Sequence, residues 1–312
     1  MVGVLAIASK NIRKDIYKYI GFLRHRGHQN CYYSDGTCSE QKHFDDGAPT
    51  TLLGGTACAS CSSGSINSRM YAAYVVVIDG SLSAGVFERD KDPLETINRL
   101  TRESEDSFFG ICIKGSEVIA FKDKRGSKPG MYGKDDKGNI IISSENMGFE
   151  KIDDIYGGEI VSLNGTTITR IGGAKDVILD RNEYLHLANN EATIYGIKVY
   201  EFKRKLCLSR MDEITGGVEA VVICTPESRT YGLIISEILG VPSLEPVRVP
   251  MYKNASQKYK YRFHNIEFKY DNVLIVDLFG LSVETERVVE DTFRQNGCKE
   301  IHSLQTLALA GT

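Results

Sequence analysis

No run of apolar residues in this 312-residue chain comes near the roughly 20 that a membrane-spanning helix requires. The longest, such as Ala72–Ile78 and Ala220–Cys224, are far shorter, so no membrane partner is expected. Nor is there an excess of positive charge. The 38 Lys and Arg against 41 Asp and Glu leave a net charge of −3, the wrong balance for general attraction to nucleic acid. The N-terminus runs Met1-Val2-Gly3-Val4-Leu5-Ala6-Ile7-Ala8 with no basic residue ahead of its apolar stretch. It lacks the pattern of a secretory signal and reads as a buried strand, which sets the expectation of a cytoplasmic protein. Cysteine is too sparse for a disulfide framework, with eight in the whole chain. Cys112 and Cys224 lie in apolar strand-like runs and read as small core residues. Cys58 and Cys61 alone have C-x-x-C spacing, and six residues separate Cys31 from Cys38, so no second close pair completes a ligand set. Plain strand or loop cysteines are preferred over a metal or redox pair, and no metal is expected.

What is present suits a globular chain. Hydrophobic residues make up 42% and charged residues 25%, enough to bury real cores in two domains. The first half is mostly strand patterns broken by turns. Val2–Ser9 reads as a strand, and Ile12, Ile16, Ile20 and Leu23 give Asn11–Arg24 a helical stripe. Tyr71–Ile78 is a further strand, Ser107–Ile113 and Glu117–Lys122 form a hairpin, and Asn139–Ser144 and Glu159–Asn164 follow. Many strands and few helices imply stacked sheets with helices outside. The second half alternates: strand Ala220–Cys224, helix Arg229–Leu239, strand Val273–Val276, helix Val283–Gln295, strand Glu300–Leu304. Strand–helix–strand units imply a parallel sheet. The boundary is set at 188/189, within the stretch Glu183–Gly196. The basic, aromatic segment Pro250–Phe263 reads as an exposed loop in preference to a binding lid.

An ordered series of short motifs accompanies these patterns. They are Leu23-Arg24-His25-Arg26-Gly27-His28, Lys122-Asp123-Lys124-Arg125-Gly126-Ser127-Lys128-Pro129, Ser144-Glu145, Gly158-Glu159-Ile160-Val161, Glu183-Tyr184, Gly196-Ile197, Pro226-Glu227-Ser228, Val273–Thr285 and Asn296–His302. Together they resemble the amidophosphoribosyltransferase family, the enzymes that open purine synthesis. The corresponding family motifs are L-Q-H-R-G-Q, R-D-P-x-G-x-R-P, the S-E of A-S-E, G-E-I-V, E-Y, G-I-x-V, P-D-S, V-L-V-D-D-S-I-V-R-G-T-T and A-G-A-K-E-V-H. The resemblance implies an α+β N-terminal-nucleophile-hydrolase-like sandwich, with stacked β-sheets between helices, over residues 1–188. An α/β phosphoribosyltransferase-like domain with a parallel sheet would follow over 189–312. The chain stops soon after His302, so the family's terminal helical region is expected to be absent or much reduced.

The resemblance also implies lost chemistry. The family's glutaminase uses a first-residue cysteine whose thiol attacks the glutamine amide and whose α-amine is the base. Val2 stands in that place and has neither thiol nor hydroxyl. The family's G-x-V-R-Y-S-T arginine, which binds the glutamine carboxylate, is matched by Cys58, and no arginine occurs between Arg26 and Arg69. The oxyanion motif H-N-G-N-L appears as Ile78-Asp79-Gly80-Ser81-Leu82, with a carboxylate where a donor is wanted. Losing a nucleophile alone costs about six orders of magnitude in kcat. Val2, Arg26, Cys58, Asp79 and Gly80 are therefore read as a degenerate glutaminase pocket without catalytic residues.

In the phosphoribosyl loop, Asp277 matches the first of the family's paired aspartates and Leu278 replaces the second. Val283 and Glu284 fall where a glycine and a threonine help cradle the 5′-phosphate. A carboxylate about 4 Å from a phosphate, at an effective dielectric of about 20, repels each phosphate charge by about 4 kcal/mol. Asp277, Ser282, Thr285, Glu227 and Ser228 are the candidate ligand-binding residues. No cofactor is expected, and Mg2+ only if phosphoribosylpyrophosphate binding survives. The leading expectation is a catalytically silent scaffold, regulator or non-catalytic subunit that forms a homo-oligomer or a hetero-oligomer with another protein. The alternatives are an enzyme with residual or ammonia-dependent phosphoribosyl transfer, and a protein that senses a purine nucleotide.

Overall fold

The computed structural model of the protein describes residues 2–305 except 28, 53–54, 64–66, 72, 89–91, 166, 175–177, 179, 215, 246, 251–258, 263–268 and 278–282. The chain forms two compact units, Met1–Val199 and Tyr200–Thr312. This division falls after the expected 188/189 boundary, because a short hairpin, Thr193–Ile194 with Ile197–Lys198, stays with the first unit. Among the described residues no helix is long and apolar enough to cross a membrane.

In chain order the first unit contains β1 (Val2–Ala8), α1 (Ile12–Phe22), β2 (Asn30–Ser34), β3 (Ser39–His43), β4 (Thr56–Ser62), β5 (Ser68–Met70), β6 (Val75–Gly80) and α2 (Pro93–Glu103). There follow β7 (Phe108–Lys114), β8 (Glu117–Lys122), β9 (Met131–Lys134), β10 (Ile140–Ser143), β11 (Glu150–Asp154), β12 (Gly157–Asn164) and β13 (Thr167–Ala174). The hairpin strands are β14 (Thr193–Ile194) and β15 (Ile197–Lys198). One sheet has the order β11-β9-β10-β1-β4-β2-β3 and the other β13-β12-β8-β7-β6-β5.

The layering follows from the two-residue period of strands. On β1, Val2, Val4 and Ala6 face the second sheet and pack with Val75, Val77, Phe109 and Ile111 in the core between the sheets. Leu5 and Ile7 take the opposite face and meet Ile12, Ile16 and Ile20 of α1. The second sheet does the same on its far side, where Ile78, Phe108 and Phe121 receive Ile97 and Leu100 of α2. Each buried Val, Leu, Ile or Phe among them contributes about 1.5–3 kcal/mol. The result is a helix–sheet–sheet–helix sandwich. Helix α2 has a sequence signature of its own: Asp92 accepts from the Leu94 N–H at 3.2 Å, and Pro93 fills the first turn, where its missing N–H costs nothing.

The second unit comprises α3 (Val199–Leu208), β16 (Ala220–Ile223), α4 (Arg229–Leu239), β17 (Ser243–Leu244), β18 (Val247–Pro250), β19 (Tyr259–Arg262), β20 (Asn272–Asp277), α5 (Val283–Gln295) and β21 (Glu300–Gln305). Four strands form a parallel sheet of order β17-β16-β20-β21. Val289 and Phe293 of α5 pack with Ala220, Val222, Val273 and Ile275 on one face. Helix α4 lies against β16 closely enough that a Cβ at Gly232 would come within 2.4 Å of the Ile223 side chain. The segment Pro250–Phe263 is not wholly loop: β18 and β19 pair antiparallel from Val247↔Arg262 to Pro250↔Tyr259. Alternating residues Tyr259-Lys260-Tyr261-Arg262 suit a strand, and its aromatic content is the signal that favoured one. Residues 251–258 and Phe263 lie outside the described residues.

Candidate functional site

In the first unit a cavity of about 400 Å³ opens at the beginning of β1, lined in part by Val2, Arg26, Asp79, Gly80, Lys128 and Glu183. Backbone geometry brings these together. Arg26 sits on the 3-10 turn Arg24–Arg26 that ends α1. A Cβ at Gly27 would lie 2.4 Å from the Ser62 Cα, so only glycine lets this turn press against the end of β4. Asp79 and Gly80 end β6. Gly80 has φ +134°, and a Cβ there would meet the Ser107 carbonyl oxygen at 2.1 Å.

The Arg26 guanidinium is 1% exposed and holds three carboxylates. Nη1 donates to Asp79 Oδ2 at 3.1 Å, Nη2 to Glu183 Oε2 at 2.5 Å, and Nε to Glu145 Oε1. Lys128 Nζ donates to Glu183 Oε1 at 2.9 Å and lies 3.6 Å from Asp180 Oδ2. Glu145 also accepts from the Asn189 N–H at 3.0 Å and lies 2.9 Å from His25 Nε2. All of this geometry lies within the first unit.

Electrostatics separate the three acids. Burial raises the pKa of each, but Arg26 outweighs it at Glu145 and Glu183 and holds both below the usual carboxylate range, with Lys128 helping at Glu183. At Asp79 burial wins over Arg26, and the carboxyl is pushed up to about 6. Burial would lower the Lys128 pKa, but Glu183 reverses this and raises it. The consequence for ligands is direct. With every N–H-bearing side of its guanidinium on a carboxylate, Arg26 has little left to offer a substrate carboxylate. Among the described residues no other arginine lines the cavity, and none of the lining residues is a cysteine or histidine.

Four of the five expected pocket positions, Val2, Arg26, Asp79 and Gly80, line this cavity. Cys58 does not. It is buried in the core between the sheets and pairs with Ala6, whereas Val2 pairs with Ser62. Four residues of strand, about 13 Å at the usual rise, separate the two positions. The β4 residue beside Val2 is therefore Ser62. Cys58 and Cys61 lie on opposite faces of β4, one in the inter-sheet core and the other under α1, so they cannot share a metal ion. Burial pushes the Cys61 thiol up to about 12. Among the described residues no group of three or more His, Cys, Asp or Glu is arranged to hold a metal. Glu145, Glu183 and Lys128 are visible in the sequence only as members of short motifs, since nothing in their spacing announces a shared arginine.

The second unit offers a different place. From β16 the chain crosses through α4 to β17 on one side, and β20 lies on the other. The carboxyl ends of β16 and β20 thus flank a switch point, where open parallel sheets bind ligands. There Thr225 Oγ1 donates to Asp277 Oδ1 at 3.0 Å and lies 2.6 Å from Ser228 Oγ, which precedes α4. Ser228 is fully buried and Asp277 is 7% exposed, while Glu227 is exposed. Thr225, unmarked in the sequence, joins Asp277 to Ser228. Ser282, with Leu278, lies outside the described residues, as do the side chains of Val283, Glu284 and Thr285. Their places as ligand residues rest on the motif alone.

No family model matches the chain. It is similar to the amidophosphoribosyltransferase of Haemophilus influenzae, with 28% identity over 227 residues, covering 61% of this chain and 44% of the relative. The amidophosphoribosyltransferase of Methanocaldococcus jannaschii is 23% identical over 248 residues, 69% of this chain and 52% of the relative. That of Archaeoglobus fulgidus is 24% identical over 246 residues, 72% and 53%. The chain spans about half the length of the curated relatives it matches. Among solved structures, glutamine phosphoribosylpyrophosphate amidotransferase from B. subtilis, complexed with ADP and GMP, superposes with a TM-score of 0.74 at 14% identity. The match covers 97% of this chain and 81% of that one. An allosteric regulatory enzyme of purine biosynthesis gives 0.73 at 14% identity, with 97% and 80% covered. The fold is therefore an N-terminal-nucleophile-hydrolase-like sandwich followed by a phosphoribosyltransferase-like parallel sheet.

Proposed function

The chain is a distant relative of the amidophosphoribosyltransferases, and on that premise we propose that it does not hydrolyse glutamine and serves as a scaffold, regulatory or non-catalytic subunit. One observation carries the reading. The cavity in the nucleophile's position has Val2 on its wall, and the arginine lining it, Arg26, is engaged by three carboxylates. A side chain without thiol or hydroxyl cannot form the acyl intermediate. An arginine so engaged cannot also anchor a substrate carboxylate without leaving buried charges unpaired, at several kcal/mol each.

The test is glutamate release from L-glutamine, with and without phosphoribosylpyrophosphate and Mg2+, beside an active relative as control. Release at the buffer rate is expected; sustained turnover refutes the silent reading. Light scattering and recovery of the protein from its source examine the subunit role, for which stable self-association or a stoichiometric partner is expected. A monomer with no partner contradicts it.

A second reading, nucleotide sensing, draws on the Thr225–Asp277–Ser228 chain at the switch point of the parallel sheet. An acid and two hydroxyls at that place suit a ribose. If phosphoribosylpyrophosphate binding survives there, Asp277 is the described carboxylate that would meet its hydroxyls, and Mg2+ would accompany the pyrophosphate. Thermal shift with purine nucleotides, and calorimetry with phosphoribosylpyrophosphate and Mg2+, separate sensing from residual transfer. No response to either removes both alternatives.

A further inference from the structure

The sheet separates Cys58 from Cys61, close neighbours in the chain, and brings together two cysteines that are far apart in it. Strands β2 and β4 run antiparallel with Cys31 directly opposite Cys61. On the other side of Cys61 the same row continues to Gly3 of β1. Cys31 and Cys61 both belong to the core under α1, with Ile16, Ile20 and Leu23, and neither is exposed. Residues directly opposite in an antiparallel pair have Cα atoms about 4.5–5.5 Å apart. A disulfide spans Cα separations of about 4.4–6.8 Å, so backbone spacing already permits a bridge.

The row also leaves room for the sulfurs. A Cβ at Gly3 would lie 3.0 Å from Cys61 Sγ, so any larger residue there would crowd the thiol. The other cysteines of the first unit are placed elsewhere. Cys58 is in the core between the sheets and Cys112 is on the far side of the second sheet. Cys38 lies in the turn after β2, with its Sγ 3.0 Å from the Thr51 carbonyl oxygen. Neither Cys31 nor Cys61 therefore has another cysteine opposite it in the sheet.

We propose that Cys31 and Cys61 form a reversible cross-strand disulfide when the protein meets a peroxide. One thiolate attacks a peroxide oxygen; the O–O bond breaks, and hydroxide takes up the thiol's proton and leaves as water. The second thiol attacks the resulting sulfenic sulfur, the S–O bond breaks, and a second water leaves with the second proton. The two thiols lose two electrons and the peroxide is reduced to two waters. Burial pushes the Cys31 thiol up to about 11 and that of Cys61 up to about 12, so thiolate is scarce while α1 covers the pair. The reaction waits on local opening of α1. Bridging also removes the proton that Cys61 directs at the Leu23 carbonyl oxygen, 3.4 Å away. That carbonyl receives the Arg26 N–H at 2.9 Å, which ties the oxidation state of the pair to the turn that presents Arg26.

Peptide mapping decides it. Trypsin releases Cys31 together with Cys38, and Cys58 together with Cys61, so the bridge is read in a Cys38→Ser, Cys58→Ala double variant of the full chain. The folded protein is treated with millimolar hydrogen peroxide, freed of oxidant, alkylated and digested without reductant. The two peptides are expected to appear joined, lighter than their sum by two hydrogens, and dithiothreitol should separate them. Electron-transfer fragmentation of the parent's joined peptides gives the same assignment if the double variant folds poorly. Ile16→Val, which loosens the packing of α1, should speed the joining about two- to tenfold. Peptides that stay separate after Cys38 of the parent is fully oxidised overturn the proposal, as does a bridge that uses Cys38 or Cys58. A joining rate that Ile16→Val leaves unchanged overturns its dependence on α1.

Discussion

The Arg26 cavity and the Asp277 switch point differ in what their polar groups are already doing. In the first, five ionisable side chains hold one another. Arg26 takes three carboxylates and Lys128 shares one of them. In the second, Asp277 receives the Thr225 hydroxyl, which touches that of Ser228. A pocket that evolved to hold a substrate keeps its charges available. One whose charges are engaged with one another serves chiefly the fold. The comparison makes the first unit's pocket a structural lock, and the second unit's mouth a place where hydroxyls meet an acid.

Breaking the lock should have the largest effect. Arg26→Met leaves three buried carboxylates without their main counter-charge, and a loss of about 3–5 kcal/mol in unfolding free energy is expected. Denaturant melts measure it, and a loss below about 1 kcal/mol would mean the cluster is not a lock.

The next effect is on pH dependence. The folded-state value of about 6 for Asp79 lies above the ordinary 3.8, so the folded chain holds that proton more tightly than the unfolded one. Its stabilising contribution is complete below pH 3.8 and disappears as pH rises through about 6. Asp79→Asn should remove this slope, which denaturant melts of parent and variant across pH 4–8 measure. A slope unchanged by the substitution places the titrating charge elsewhere.

Smaller changes sharpen the other side. Thr225→Val removes the donor to Asp277 and should cost about 1.5–3 kcal/mol, the range for a hydrogen bond to a charged group. Glu227→Gln, exposed, should change stability by less than about 0.5 kcal/mol. If instead Glu227→Gln abolishes a nucleotide-induced thermal shift that Thr225→Val leaves intact, the ligand contact lies on the exposed turn and not in the buried chain.

Much of the fold was legible in the residues. The alternation of β1, the stripe of α1, the β7–β8 hairpin and the strand–helix alternation of the second unit all follow local periodicity. Helix α2 carries its own mark in Asp92-Pro93, a cap followed by a first-turn proline. Strand β4 was hidden because Thr56–Ser62 is built of small residues with weak alternation. The β18–β19 hairpin was masked by the polar stretch between its strands. The site was legible in part. Val2 and Asp79 announced themselves through the motifs they alter. Cys58 was misplaced because a motif match gives a position in the chain but not a distance along the sheet. Arg26, Asp79, Glu145 and Glu183 come from four separate stretches of the chain, and only folding shows that they share one buried charge centre.

Calorimetric titration of L-glutamine into the protein at pH 7.5 puts the most direct question to the lock. With Arg26 committed to its three carboxylates, no saturable heat is expected up to millimolar ligand. Saturable binding at micromolar concentration would show that the cavity still receives a carboxylate, and the description of its charges as mutually occupied would be wrong.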